Sequence, residues 1–130
     1  MMQSAFVYKM PLLYRIRHPI ERLRDYYLNI KYSIQRVHRG WCNMDTFEID
    51  SWFLNVVPEM LRYLREHKCG FPGYIEGEKC SSEDWDNILD KMIECFEKAS
   101  PENGIISDAN VAAKDEGFKL FSKYFYYLWD

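Results

Sequence analysis

The chain has 130 residues and a mass of 15.7 kDa, which is the size of one domain with its own core. Its 48% hydrophobic and 28% charged residues exclude a globally disordered chain, and no apolar run is long enough to form a membrane-spanning helix. A net charge of −3 and the lack of a recognised DNA-binding motif argue against double-stranded DNA as a partner.

The first segment with a regular pattern begins at Pro19. Before it, residues 1–18 show no period, and we predict an irregular N-terminal arm. From Pro19 onward apolar residues recur at alternating steps of three and four, which predicts an amphipathic helix over residues 19–40. Gly40 is typical of a helix C-terminus. The apolar positions form a heptad-like seam of Ile20, Leu23, Tyr27, Ile30, Ile34, Val37 and Trp41.

A second helix is predicted over residues 46–67. Asp45 is a residue type that caps helix N-termini, and Glu48 follows three positions later, as in a capping box. Pro58 falls inside the apolar pattern, so we expect a kink or a break just before it. Residues 68–82 contain glycines, and we predict that this segment forms a long loop.

Two further helices are predicted in the C-terminal half. Residues 82–99 follow the helical period strictly behind an N-cap at Ser81 or Ser82. Residues 108–129 form a helix whose last part is aromatic on nearly every side, which favours burial against a second copy and therefore a homo-oligomer. The pattern as a whole predicts an all-α fold class, a compact bundle of four to five amphipathic helices in a single domain over residues 1–130.

Positive charge is concentrated near the first helix. Residues 1–40 carry eight basic and two acidic side chains, a net charge of +6, whereas residues 41–130 carry −9. This asymmetry predicts a positive surface for an anionic partner, or pairing of the basic part with the acidic part. Guanidinium groups suit phosphates and aromatic rings suit bases, so the candidate ligand-binding residues are Lys31, Tyr32, Gln35, Arg36, Arg39 and Trp41.

Other chemistry has weaker support in the sequence. A zinc site would need imidazole and thiol ligands, and the candidates are His67, Cys69 and Cys80 with Cys42 or Cys95. Their spacing matches no strong zinc-binding pattern. The helix over 82–99 carries five carboxylates, Asp84, Asp86, Asp90, Glu94 and Glu97. They could act in acid–base catalysis, or they could simply form the solvent-exposed face of the helix. No nucleotide-binding loop or hydrolase motif occurs, so we predict no cofactor, no metal and no enzymatic turnover. Irregular cysteine spacing without a signal peptide indicates reduced thiols in a cytoplasm.

Two stretches resemble a group of small proteins encoded by tailed bacteriophages. In residues 30–61 the motif reads Lys31-Tyr32-x-x-Gln35-Arg36-x-x-Arg39-Gly40-Trp41, and in residues 82–99 it reads Glu83-Asp84-Trp85-Asp86-x-Ile88-Leu89-Asp90-Lys91-Met92-Ile93. The resemblance implies a phage or prophage origin and action in the cytoplasm of a bacterial host. It implies no particular activity.

These observations lead to one main hypothesis and two alternatives. The main hypothesis is a phage accessory protein, acting in counter-defence, that sequesters an anionic, nucleotide-type ligand without turnover. One alternative is a protein-binding inhibitor that contacts a host defence factor through its acidic or aromatic surface. The second alternative is a nucleotide-processing enzyme that uses the carboxylates of the helix over 82–99.

Overall fold

The computed structural model describes residues 19–129, so the predicted N-terminal arm lies outside the described part. Four α-helices dominate these residues: α1 (Pro19–Arg39), α2 (Ile49–His67), α3 (Ser82–Ala99) and α4 (Asp108–Tyr124). Two 3₁₀ turns follow α1 and α4, at Asn43–Phe47 and Phe125–Tyr127, and a short antiparallel hairpin joins β1 (Tyr74–Ile75) to β2 (Glu78–Lys79). The predicted all-α fold class is therefore confirmed. None of these helices combines the length and apolar character that crossing a bilayer requires.

Packing divides the chain into two compact units. The first unit ends at Trp52 and the second begins at Phe53. Among the described residues, the first unit holds α1, the 3₁₀ turn Asn43–Phe47 and the start of α2. The second holds the rest of α2, the hairpin and the helices α3 and α4.

Helix α3 supplies most of the core of the second unit. Its bounds match the prediction, and its strict period places Trp85, Leu89, Met92 and Phe96 at positions with almost no exposed surface. Four such side chains, each stabilising by about 1.5–3 kcal/mol when fully buried, make α3 the centre of this unit. Helices α3 and α4 pack against each other along their lengths.

The start of α3 is fixed by a reciprocal capping box. The Ser81 hydroxyl accepts a hydrogen bond from the Asp84 amide at 3.1 Å, and the Asp84 carboxylate accepts one from the Ser81 amide at 2.9 Å. Ser81 is thus the N-cap, one of the two serines that the sequence left open. The Ser81 bonds also lower the pKa of Asp84, so this carboxylate is ionised and suits the positive end of the helix.

Helix α2 passes through Pro58 without a break. The prediction of a break there is wrong, because the helix continues to His67 and the proline ring is buried. Leu61, one turn further on, belongs to the buried core, and Phe53 and Leu64 pack against it. Burial of this face on both sides of Pro58 outweighs the lost backbone hydrogen bond, which costs about 3 kcal/mol. The helix also begins at Ile49, later than predicted, because the preceding residues form the 3₁₀ turn.

Helix α4 ends earlier than the sequence predicts. It stops at Tyr124, and the chain tightens into the turn Phe125–Tyr127. Part of its aromatic surface is packed inside the second unit: Tyr124 is buried, and the side chains that pack against the core are Leu120, Phe121, Tyr127 and Leu128. Phe125 and Trp129 remain more than half exposed.

The predicted loop over residues 68–82 contains the β1–β2 hairpin. Its two turn residues, Glu76 and Gly77, have φ angles of 51° and 81°. Positive φ at both central positions is the geometry of a type I′ turn, which matches the twist of the flanking strands. The Cys80 amide donates to the Gly73 carbonyl at 2.9 Å and closes the hairpin at its base.

Gly117 allows α4 to approach α3 closely. A Cβ atom at this position would lie 2.9 Å from a ring carbon of Phe96 and 3.2 Å from the Cβ of Cys95. Because the Phe96 ring is fully buried, it has no room to move away. The glycine is therefore required by packing, although it is a poor helix former.

We expect Gly117→Ala to lower the free energy of unfolding by about 1–3 kcal/mol, since overpacking outweighs the gain of about 1 kcal/mol in helix propensity. The matched control is Gly73→Ala, because a Cβ at Gly73 meets nothing within 4 Å. Chemical denaturation followed by circular dichroism measures both variants. A Gly117→Ala variant that is more stable than the wild type would contradict the close approach.

Candidate functional site

The C-terminal end of α1 is tied to the 3₁₀ turn that follows it. Gly40 adopts a φ of +83°, which ends the helix, and its amide still donates to the Arg36 carbonyl at 2.9 Å. The chain then turns back, and the Arg36 guanidinium donates to a carboxylate oxygen of Asp45 at 2.9 Å. The second Asp45 oxygen accepts the Cys42 amide at 2.7 Å.

Asp45 is thus the centre of this turn and not the N-cap of α2, as the sequence predicted. Its carboxylate is 3% exposed and is fully engaged by the Arg36 guanidinium and the Cys42 amide. Burial raises the pKa of Asp45, but the hydrogen bonds from Arg36 and Cys42 outweigh it, and the pKa lies below its ordinary value of 3.8. The same bond to Asp45 raises the pKa of Arg36. Both groups are therefore charged at neutral pH.

Two more of the predicted ligand residues also hold the turn. The Gln35 side-chain oxygen accepts the Asn43 amide at 2.9 Å. Arg39 donates to the Trp41 carbonyl at 3.1 Å and to the Asn43 side-chain oxygen. Its guanidinium carbon also lies 3.7 Å from the centre of the Trp41 ring, a close cation–π contact. The structure therefore brings together Gln35, Arg36, Arg39 and Trp41, with Asn43 as an added partner.

Lys31 and Tyr32 stand apart from this group. Lys31 lies one helical turn before Gln35, about 6 Å along the axis of α1, and its side chain is exposed. Tyr32 is half-buried on a neighbouring row. Lys31 shares a face with Gln35 and His38, so its charge is available next to the turn without taking part in its hydrogen bonds.

An apolar cleft opens beside the turn. It has a volume of about 290 Å³ and is lined by Trp41, Asp45, Thr46, Ile49 and Trp52. Two indole rings thus contribute to the wall of one small cavity, and the Arg39 guanidinium covers one of them. The sequence analysis selected Trp41 but did not select Trp52. Trp52 is half-buried because it lines the wall of this cleft.

The acidic face of α3 is paired with cations of α2 and its C-terminal end. Lys68 pairs with Asp86, Arg65 with Asp90 and Arg62 with Glu97. Within α3 itself, Lys98 pairs with Glu94 at 2.6 Å. Together with the capping role of Asp84, these contacts engage every carboxylate that the sequence singled out for acid–base work. Glu94 and Glu97 also line an open pocket of about 810 Å³, but each is bound there to a basic side chain.

The candidate zinc ligands do not converge. Across residues 19–129, no group of three or more His, Cys, Asp or Glu side chains is placed to hold a metal ion. His67 instead stacks on Tyr63 with the ring centres 4.0 Å apart, and its Nδ1 lies 3.0 Å from the Tyr63 carbonyl oxygen. Burial raises the pKa of the Cys80 and Cys95 thiols, which disfavours the thiolate that metals bind.

Comparison with known proteins adds no functional assignment: the chain matches no family model, no curated protein and no solved structure. A proposal about function must therefore rest on the geometry of the cleft and of the exposed surfaces.

We expect Arg36→Met to loosen the turn by about 2 kcal/mol, because it leaves the buried Asp45 carboxylate without its charged partner. Amide hydrogen exchange over residues 40–48 should then accelerate by about 30-fold. Lys31→Met is the matched control, since it removes one cation from the same helix without touching the turn. Equal protection in the wild type and Arg36→Met would show that the ion pair does not hold the turn.

The lowered pKa of Asp45 predicts a specific pH dependence. A carboxylate whose pKa is lower in the folded protein stabilises it above the unfolded value, and this contribution disappears as pH falls through the folded pKa. The stability advantage of the wild type over Asp45→Asn should therefore be full at neutral pH and disappear as the pH falls through the lowered pKa of Asp45. Thermal unfolding of both proteins across this range measures it. A pH-independent difference would contradict the assignment.

Proposed function

We propose that the protein binds a nucleotide-type anion at the first unit, with the base in the cleft beside Trp41 and Trp52. The observation that carries the proposal is the placement of two indole rings around one small apolar cavity next to a cationic helix end. Aromatic surfaces of this kind stabilise bases by about 1–3 kcal/mol each. A volume of about 290 Å³ suits one flat ring system, so the sugar and phosphates would lie outside the cleft.

The cationic residues then take different roles from one another. Arg36 acts as a positioning residue, because its guanidinium is committed to Asp45. Arg39 uses two donors for Trp41 and Asn43, and an arginine has five, so the remaining N–H groups are free to meet a phosphate at the mouth of the cleft. Lys31 adds positive charge further along the same helix. This division refines the residue set expected from the sequence.

Binding without turnover is supported by the state of the carboxylates. Asp45 is the acidic residue that lines the cleft, and its low pKa and two hydrogen bonds keep it ionised and occupied. A general acid or base needs a pKa near the working pH, which Asp45 does not have. We propose a bacterial host as the setting, because two stretches of the sequence resemble tailed-phage proteins; there, sequestering a nucleotide signal would serve counter-defence.

A second candidate function, inhibition of a host protein, is favoured by one surface of the second unit. An apolar groove of about 480 Å³ lies between α2 and the C-terminal segment, and its walls include Val57, Leu64, Phe121, Phe125 and Trp129. Phe125 and Trp129 are more than half exposed. The acidic surface has less support for this role than the aromatic one, because its carboxylates are paired with basic side chains.

Calorimetric titration of the purified chain with linear and cyclic nucleotides tests the first candidate. We expect Trp52→Leu to weaken the binding of the responding nucleotide by about 5-fold to 150-fold, the effect of losing one stacking ring. Trp129→Leu is the matched control, since it removes an exposed indole from the groove of the second unit. It should leave nucleotide affinity unchanged.

The two tryptophan variants also separate the two candidate functions. Heat released by one nucleotide class and lost in Trp52→Leu supports ligand sequestration. If no nucleotide binds the folded wild type, the cleft proposal is wrong. A host-protein complex of defined stoichiometry that Trp129→Leu disrupts and Trp52→Leu does not would then favour the inhibitor.

A further inference from the structure

The apolar stripe of α1 is exposed along the whole helix. None of the 21 residues of α1 is buried. The stripe, here called the α1 seam, consists of Ile20, Leu23, Tyr27, Ile30, Ile34 and Val37. Their exposed fractions run from 46% at Ile30 to 90% at Val37. Trp41, which continues the spacing in the sequence, lies beyond the end of the helix and belongs to the turn.

The spacing of the seam identifies the kind of surface that it fits. Steps of three, four, three, four and three place these residues at consecutive a and d positions of a heptad repeat. A repeat of about 3.5 residues keeps its seam facing a second helix with the same repeat, because the two helices coil around each other. A helix that packs against a broad core instead adds apolar residues at flanking positions. The flanking positions here are mostly polar or charged.

Such a helix also needs a partner to be stable. Most helix stability in proteins comes from packing an apolar face and only a small part comes from intrinsic propensity. At the C-terminal end of α1, Gln35, Arg36 and Arg39 tie the helix to the turn that follows it, and none of these three residues belongs to the seam. The seam from Ile20 to Val37 is about 26 Å long, and its apolar side chains are exposed along that length.

The charges beside the seam favour a second copy in the parallel orientation. The e positions, which follow each d residue, hold Arg24, Lys31 and His38, and the g positions hold the uncharged Tyr26 and Ser33. In a parallel pair each g residue meets an e residue of the partner helix, so Tyr26 meets Lys31 and Ser33 meets His38. In an antiparallel pair e meets e, which would bring the cations together. In the parallel orientation, therefore, no two cations at the e and g positions face each other across the interface.

We propose that two copies of this chain associate through their α1 seams as a parallel coiled coil. Identical residues then face each other across the two-fold axis at every a and d layer, as an isologous interface requires. Because Gly40 ends both helices at the same level, the two turns and their clefts come out at the same end of the coil. The proposal differs from the oligomer expected from the sequence, which assigned the contact to the C-terminal helix.

Sedimentation equilibrium of the full chain tests the association, with an expected mass of twice 15.7 kDa. Ile34→Glu should convert the dimer to a monomer, since it places two carboxylates in the a layer nearest the C-terminal end of the seam. Its own helix tolerates the change because Lys31 and His38 lie one turn away. Arg22→Glu is the matched control: it places a carboxylate on the exposed outer face of α1 and should leave the dimer intact.

Cross-linking tests the orientation. In a Cys69→Ser background, which removes the exposed thiol, Val37→Cys should link two copies through a short bis-maleimide. Arg22→Cys, on the outer face, should not. A monomeric wild type, a dimer that persists in Ile34→Glu, or failure of Val37→Cys to cross-link overturns the proposal. Nucleotide binding by the Ile34→Glu monomer is measured separately, because no seam residue lines the cleft.

Discussion

The buried carboxylate of Asp45 is the constraint on which the first unit depends. It is the only charged residue that is buried in the described part of the chain, and a buried charge without a partner costs several kcal/mol. Arg36 supplies that partner from the last turn of α1, and the Cys42 amide supplies a second hydrogen bond. The need to satisfy one carboxylate therefore fixes how the chain turns back after Gly40 ends α1.

The position of the cleft follows from this pairing. Once the turn is held against α1, Trp41 is placed under the Arg39 guanidinium with the cleft at its side. Arg39 thus has two functions, since it stabilises the turn and remains beside the cavity. Sequence reasoning grouped Arg36 with Arg39 as ligand-binding residues, whereas the Arg36 guanidinium forms a structural ion pair with Asp45.

Features that depend on local sequence could be predicted well. The bounds of α3 follow from a strict helical period and a serine cap, and the end of α1 follows from Gly40. Features that depend on distant partners could not. Asp45 has the residue type of an N-cap, and only its contact with Arg36, nine positions earlier, shows its real role. Pro58 likewise looks like a helix break until the packing on both sides of it is known.

The pairing of charged side chains also depends on packing and could not be predicted from the local sequence. The sequence has a basic N-terminal part and an acidic remainder, which suggested that one would neutralise the other. The carboxylates of α3 instead find their partners within the second unit, in Arg62, Arg65 and Lys68. The cations beside the α1 seam are not used in that pairing, which is why they can select the orientation of a partner helix.

The order of elements in the second unit has a consequence for how quickly it folds. Helices α3 and α4 are consecutive, each begins at its own serine cap, and only residues 100–107 separate them. The Asn110 side chain donates to the carbonyls of Lys98 and Ser100, so the link between the helices closes over a few residues. Closing so short a loop loses little chain entropy. Domains with contacts this local typically fold within about microseconds to milliseconds. We therefore expect the second unit to fold before one chain meets another.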